Sequence, residues 1–311
     1  VFEVVRGAKA EELPSDAVSA FARYEAIRPR LPKARFPAQS LHLATLEDVA
    51  DHVDGFLLDA FGVLNVGETA IPGAVARMAS LRARGKRLAV LTNAASYTRT
   101  QLLAKYHRLG FDFTADEVVA SRDVAVAQLQ RIAPGACWAA IAAAGDSFAD
   151  IPARVTCALA EPAALDGADA ILFLSSARWS AELGHRLRAA LERRPRPMVI
   201  ANPDLVAPRE DGLTHEPGLF GHNLLDALPG AEVHWFGKPF PEALAEGIAR
   251  TGLAPGQLAM VGDTLHTDVL GGAAAGCRSV LVSGHGLFAN LQAEDFIAAS
   301  GIVPDFVVPD T

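Results

Sequence analysis

Four polar residues stand at the ends of short apolar runs. Asp59 closes GFLL, Thr92 closes RLAVL, Lys238 follows HWFG, and Asp263 follows LAMVG. Together they supply a carboxylate able to act as a nucleophile, a hydroxyl, a cation and a second carboxylate, which is equipment for group transfer at a charged centre. Taken singly, an Asp after a strand is as readily a turn or N-cap residue. A lone threonine there is a cap, and a lone lysine a solvated surface group. Joint arrival from four separate runs is what points to chemistry, because unrelated turns need not assemble such a set.

The elements that must position these residues follow from periodicity. The runs GFLLDA (55–60), RLAVLT (87–92), AILFLS (170–175), MVIAN (198–202), VHWFG (233–237), LAMVG (258–262) and SVLVS (279–283) alternate with helical patterns. Examples of the latter are AVARMASLRARG, RTQLLAKYHRLG, AELGHRLRAALERR and PEALAEGIARTG. Strands that are apolar throughout and separated by helices predict an α/β fold with a doubly wound parallel sheet covered on both faces. Such a sheet places its ligand site at the carboxyl ends of the strands, where all four polar residues fall. The glycine-rich run GGAAAG (271–276) sits inside a helical pattern and reads as close packing. No GxxxxGK or GxGxxG motif supports a triphosphate or dinucleotide site. Residues 1–40, broken by Pro14, Pro29, Pro32 and Pro37, read as a helical or extended arm.

Half of the 311 residues are hydrophobic, enough to bury a large core divided into about two domains. No apolar run reaches the ~18 residues of a membrane span, and VFEVVRGAKAEELPSD lacks the basic start and apolar block of a secretory signal. A cytoplasmic location is therefore expected, with no membrane partner. Cys137, Cys157 and Cys277 are odd in number and lack CxxC spacing, which argues against a disulfide framework or a cysteine zinc site. A net charge of -8 spread along the chain argues against nucleic acid and for a small-molecule partner.

On these residues the chain resembles the haloacid dehalogenase superfamily, in the class IIA branch that includes pyridoxal-phosphate and nucleotide phosphatases. LLDAFGVLNVGETAIPGA, LTNAASYTR, GKPFPEAL and MVGDTLHTDVLGGAAAG match its four motifs in order. The resemblance implies a Rossmann-like core of residues 41–134 and 232–311, with an α/β cap of residues 135–231 inserted between the second and third motifs. It further implies Mg2+-dependent hydrolysis of a small phosphorylated metabolite through an aspartyl phosphate, and a homodimer formed through the caps.

The implied roles have physical reasons. Attack by Asp59 on phosphorus splits hydrolysis into two easier displacements. Mg2+ prefers octahedral oxygen coordination with few protein ligands, which suits Asp59, the backbone carbonyl of Phe61 and Asp263. Lys238 would offset the charge, and Thr92 with nearby backbone amides would hold phosphate oxygens. Asp268 and Asn93 would support the set from behind.

One departure bears on rate. The branch carries DxD in its first motif, the second Asp protonating the leaving group, and here that position is Phe61. Since the metal ligand there is a backbone carbonyl, the change spares metal binding and removes the general acid, at a cost on the order of 3 to 5 kcal/mol of barrier. A weak phosphatase is expected, with His266 and His285 as candidate proton donors by their strand-end positions, against the competing reading of each as a capping or surface residue. Two alternatives stay open. A metal-independent 2-haloacid dehalogenase would also carry an aromatic residue at this place, but would lack the acidic pair kept here as Asp263 and Asp268. A pseudoenzyme would bind phosphate esters without turnover.

The second motif departs too, with Ala94 and Ala95 where the branch offers Asn and Ser; Asn93 and Arg99 keep matching polar positions. For substrate contact, the loop SSARWS offers Arg178 to pair an anion and Trp179 to stack on a ring. The competing reading is a helix start capped by Ser180. Asn202 and Asp204 of ANPDL are secondary candidates.

Overall fold

The runs GFLL and LAMVG lie side by side in parallel, Leu58 opposite Val261, so the carboxylates that follow them leave the sheet at one edge. The computed structural model describes residues 13–209 and 212–311. Seven parallel strands form the larger sheet, in the order Leu41–His42, Phe306–Val308, Arg278–Val282, Leu258–Gly262, Gly55–Leu58, Arg87–Thr92 and Val118–Ala120. The unbroken apolar character of GFLL has a direct cause. Phe56 and Leu58 join the core on one face and Leu57 the core on the other, so neither face meets water.

Helices Ala74–Ala83 and Arg99–Arg108 cover the first face through Met78, Leu81, Leu102 and Tyr106. Helices Ser121–Ile132 and Pro241–Thr251 cover the second through Val124, Leu129, Ala243 and Leu244. The glycine-rich run starts inside the helix Leu270–Ala274 and ends just past it at Gly276, and a Cβ on Gly272 would fall 2.6 Å from that of Met260, which is the close packing expected. The molecule is a doubly wound α/β fold.

A second parallel sheet orders the strands Val233–Trp235, Met198–Ile200, Ala170–Phe173, Cys137–Ile141 and Arg154–Cys157. It runs to Trp235, past the boundary at 231 expected from the sequence, because Val233–Trp235 pairs with Met198–Ile200 instead of returning to the larger sheet. Two antiparallel hairpins flank the strand ends. Asn65–Val66 with Thr69–Ala70 follows Asp59, and Val206–Arg209 with Gly212–His215 leaves the second sheet.

The N-terminal arm is described from Leu13 on, and from there it is a docked helix, Ala17–Ile27. A reciprocal cap between Asp16 and Ser19 starts it. Phe21, Tyr24 and Ile27 are buried against Leu205 and Leu219 on one side and Leu265, Leu270 and Phe296 on the other. Arg23 and Arg30 both pair with Asp226, while Glu25 meets His266, so the helix is fastened to both units. Each buried apolar side chain contributes about 1.5–3 kcal/mol relative to exposure, which accounts for the docking. Among the described residues no helix is long and apolar enough to cross a membrane.

Candidate active site

Three strands of the larger sheet deliver Asp59, Thr92 and Asp263 to one place; Lys238, expected from the same sheet, arrives instead from the loop after Val233–Trp235, a strand of the second sheet. Asp59 begins the turn after GFLL, its N–H still donating to Val261 O at 2.8 Å. Lys238 Nζ lies 2.5 Å from an Asp59 oxygen and 2.8 Å from an Asp268 oxygen, and all three side chains are buried or nearly so. Asp263 accepts from Thr264 Oγ1 and from the Leu287 N–H, both at 2.8 Å. Asp59, Asp263 and Asp268 each bring a carboxylate oxygen within 4.8 Å of the others. Asp268 rides on the wide helical turn Leu265–Val269, which returns it to Lys238.

Glycine makes this approach feasible. Gly62 and Gly286 have φ of +78° and +72°, and a Cβ on either would strike Asp263, at 2.6 and 1.8 Å from its Oδ2. A side chain at either place would expel the carboxylate.

The charges are unbalanced. Three carboxylates crowd a buried site where one lysine pairs with two of them, Asp59 and Asp268; burial pushes Asp59 up to about 7 and Asp263 up to about 8, Asp263 further raised by Asp268 and Asp59. Burial works against the Lys238 ammonium, yet the carboxylates of Asp268 and Asp59 hold its pKa above the ordinary lysine range. An all-oxygen donor set with surplus negative charge is what a hard divalent cation requires, so the residues fit Mg2+.

Asn93 follows Thr92 at the end of its strand and clasps Lys238, accepting from its N–H at 2.7 Å and donating to its carbonyl at 3.0 Å. The same amide donates to Asp204 at 2.8 Å, reaching across to the second unit. Thr92 Oγ1 accepts from the Ala94 N–H. A small cavity of about 50 Å³ opens here, lined by Asp59, Phe61, Thr92, Asn202, Asp204 and Asp263, among others.

Comparison with known proteins decides the family. Residues 56–149 match a family model described as haloacid dehalogenase-like hydrolase, and residues 235–310 match a HAD-hydrolase-like model. Human glycerol-3-phosphate phosphatase is 30% identical over 292 residues, which cover 82% of this chain and 88% of that protein. The chain belongs to the haloacid dehalogenase-like hydrolase family.

Solved structures agree on the fold. The p-nitrophenyl phosphatase from Archaeoglobus fulgidus, 24% identical, superposes with a TM-score of 0.70 over 83% of this chain and 96% of its own. The glycerol phosphate phosphatase from Mycobacterium tuberculosis in complex with magnesium is 27% identical, with a TM-score of 0.65 over 83% and 75%.

Within this family member, several residues expected at the site stand elsewhere. Arg178 is exposed and does not line the cavity at Asp59. Trp179 stacks between Phe173 and Phe220, at 5.1 and 4.4 Å between ring centroids, and lines a neighbouring cavity of about 480 Å³ rather than the one at Asp59. Ser180 caps the following helix by accepting from the Leu183 N–H at 3.1 Å, the competing reading of that loop. His266 is stacked on Tyr24 and bonded to Glu25 at 2.5 Å, facing the N-terminal helix, and burial lowers its pKa. His285 pairs with Asp310 at 3.1 Å. Neither histidine lines the cavity, so neither is placed as its proton donor. Arg99 pairs with Asp123 at 2.9 Å and does not line the cavity at Asp59. Asn202 and Asp204 do line the cavity, Asn202 donating to Glu216 at 3.1 Å and accepting from the Asp204 N–H at 3.0 Å.

Sequence reasoning missed Arg209 and Glu216, which line the same cavity from the hairpin beyond ANPDL. Their one local signal is the Asp-Gly pair in the sequence REDG, a pair that favours a hairpin. Burial raises the Glu216 carboxyl above its ordinary value.

Proposed function

We propose that the chain is a phosphoric monoester hydrolase acting on a small phosphorylated metabolite, with Asp59 as the nucleophile. The observation that carries this reading is the cluster Asp59, Asp263 and Asp268 around Lys238, beside a cavity of phosphate-like size. Relatives named as glycerol-3-phosphate phosphatase and as a magnesium-bound glycerol phosphate phosphatase support it.

Lys238 orients Asp59 and offsets part of its charge. The Asp59 carboxylate attacks phosphorus as the bond to the leaving oxygen breaks; water then displaces phosphate from Asp59 and the carboxylate is restored. Thr92 and nearby backbone amides hold the phosphate oxygens. Asp59, Asp263 and the Phe61 carbonyl would hold Mg2+, which when bound supplies neutralisation of charge on the phosphoryl oxygens. Residues 135–235 act as the cap, and Asn202, Asp204 and the hairpin behind them shield the cavity from water.

Phe61 offers no proton, so turnover is weak for poor leaving groups and better for good ones. Incubation with p-nitrophenyl phosphate with and without Mg2+ tests the reading: metal-dependent phosphate release is expected. Halide release from a 2-haloacid without metal, or tight binding of phosphate esters with no turnover of any, would replace it with a dehalogenase or a pseudoenzyme.

A further inference from the structure

Phe61 is not an idle replacement. Its ring carries a guanidinium: Arg209 Cζ stands 4.7 Å from the ring centroid. On the same ring Lys105 Nζ lies at 4.9 Å, but that ammonium is buried and engaged with Gly67 O and Glu68. Arg209 is different. Among the described residues lining the cavity at Asp59 it is the one cation, since Lys238 lies behind the carboxylates. Its Nε donates to Thr214 at 3.3 Å and one terminal nitrogen faces Glu216 at 3.7 Å, while the side chain remains 37% exposed. That leaves further N–H groups of the fork for an incoming oxygen.

The cavities indicate which oxygen. The small cavity at Asp59 shares Ser96, Arg209 and Glu216 with a neighbouring one of about 480 Å³. A phosphoryl group seated at Asp59 therefore extends its leaving group past Arg209 into the larger space.

We infer that Arg209, held on the face of Phe61, contacts the leaving group and stabilises the negative charge on its oxygen as the bond to phosphorus breaks. This rests on the hydrolytic reading above. As Asp59 bonds to phosphorus, the electron pair of the breaking bond stays on the leaving oxygen, which takes its proton from water. Arginine does not give one up, so its contribution is electrostatic. The contribution grows with the charge that the leaving oxygen must carry.

The test is kcat/KM for a series of aryl phosphates of graded phenol pKa, with Mg2+, in wild type, Arg209→Gln and Arg209→Lys. For Arg209→Gln the best leaving groups are expected to lose little and the poorest on the order of 10²-fold, steepening the dependence on leaving-group pKa. Arg209→Lys is expected to fall between, since it keeps the charge without the fork. A uniform loss across the series, or none, overturns the assignment while leaving the phosphatase reading intact. No turnover of any ester by wild type overturns the hydrolytic reading, and this assignment with it. Unchanged thermal melting of the variants separates either result from misfolding.

Discussion

Asn93 grips the main chain of Lys238 on both sides, accepting from its N–H at 2.7 Å and donating to its carbonyl at 3.0 Å. Two strand ends far apart in sequence are thereby locked together, and the lysine that meets Asp59 and Asp268 is aimed from its backbone. Asn93→Ala leaves a buried N–H and carbonyl without partners, at about 1–3 kcal/mol. The expected result is a lower midpoint in urea and a kcat reduced more than tenfold. Full activity in this variant would show that Lys238 is positioned by other contacts.

Tyr24 provides a second test, this time of the N-terminal helix, which precedes the family match beginning at residue 56. Its hydroxyl accepts from the Leu205 N–H at 3.0 Å, beside Asp204, and its ring stacks on His266. Tyr24→Phe should cost about 1 kcal/mol and Tyr24→Ala about 3–5 kcal/mol of unfolding free energy. Denaturant curves that superpose on wild type would mean that the helix is an ornament.

The dependence on pH follows from the crowded carboxylates. Burial foremost holds Asp59 and Asp263 up at about 7 and about 8, above their unfolded value near 4. A carboxyl raised on folding binds its proton more tightly in the native state, so its stabilising contribution is present at low pH and lost as pH rises through the folded pKa. The Tm of metal-free protein should contain a fall from about pH 4 to about pH 8 that Asp263→Asn diminishes. Mg2+ should raise Tm more at the upper end, where the carboxylates are ionised. Equal metal stabilisation at both ends would contradict the assignment.

Much of the fold was legible because a strand buried on both faces is apolar nearly throughout, as GFLL and LAMVG are and as VLV of Arg278–Val282 is. The site was legible for a related reason: Asp59, Thr92 and Asp263 end such strands and gather at one edge whatever the loops do, whereas Lys238 joins them from the end of a strand of the second sheet. Other elements gave weaker signals. CWAAI is rich in alanine, a helix former, yet it is the strand Cys137–Ile141 in the second sheet. VVA and FVV are too short to display a period. Arg209 was invisible because its place over Phe61 is a tertiary fact, set by a hairpin from the second unit. His266 shows the converse: its place near a strand end makes it a candidate proton donor, whereas its turn points it at Tyr24 and Glu25.

Phe61→Asp restores a carboxyl to the first motif, and Lys105 and Arg209 within 5 Å of the present ring give the new charge partners. The same cations favour its ionised form, so as an acid it works below its full capacity. Turnover of alkyl phosphates should rise by roughly 10²-fold, the lower end for positioned acid/base catalysis. Unchanged or slower turnover of alkyl esters would mean that Phe61 does not limit the rate.

The central claim is that the Asp59 carboxylate becomes bonded to phosphorus. Rapid acid quench of the enzyme turning over an aryl phosphate with Mg2+, followed by peptide mass analysis, reads this directly. The peptide containing Asp59 is expected to carry one phosphoryl group in wild type, with neither adduct nor turnover in Asp59→Asn. Sustained turnover by Asp59→Asn, or a phosphoryl group on another residue, would contradict it.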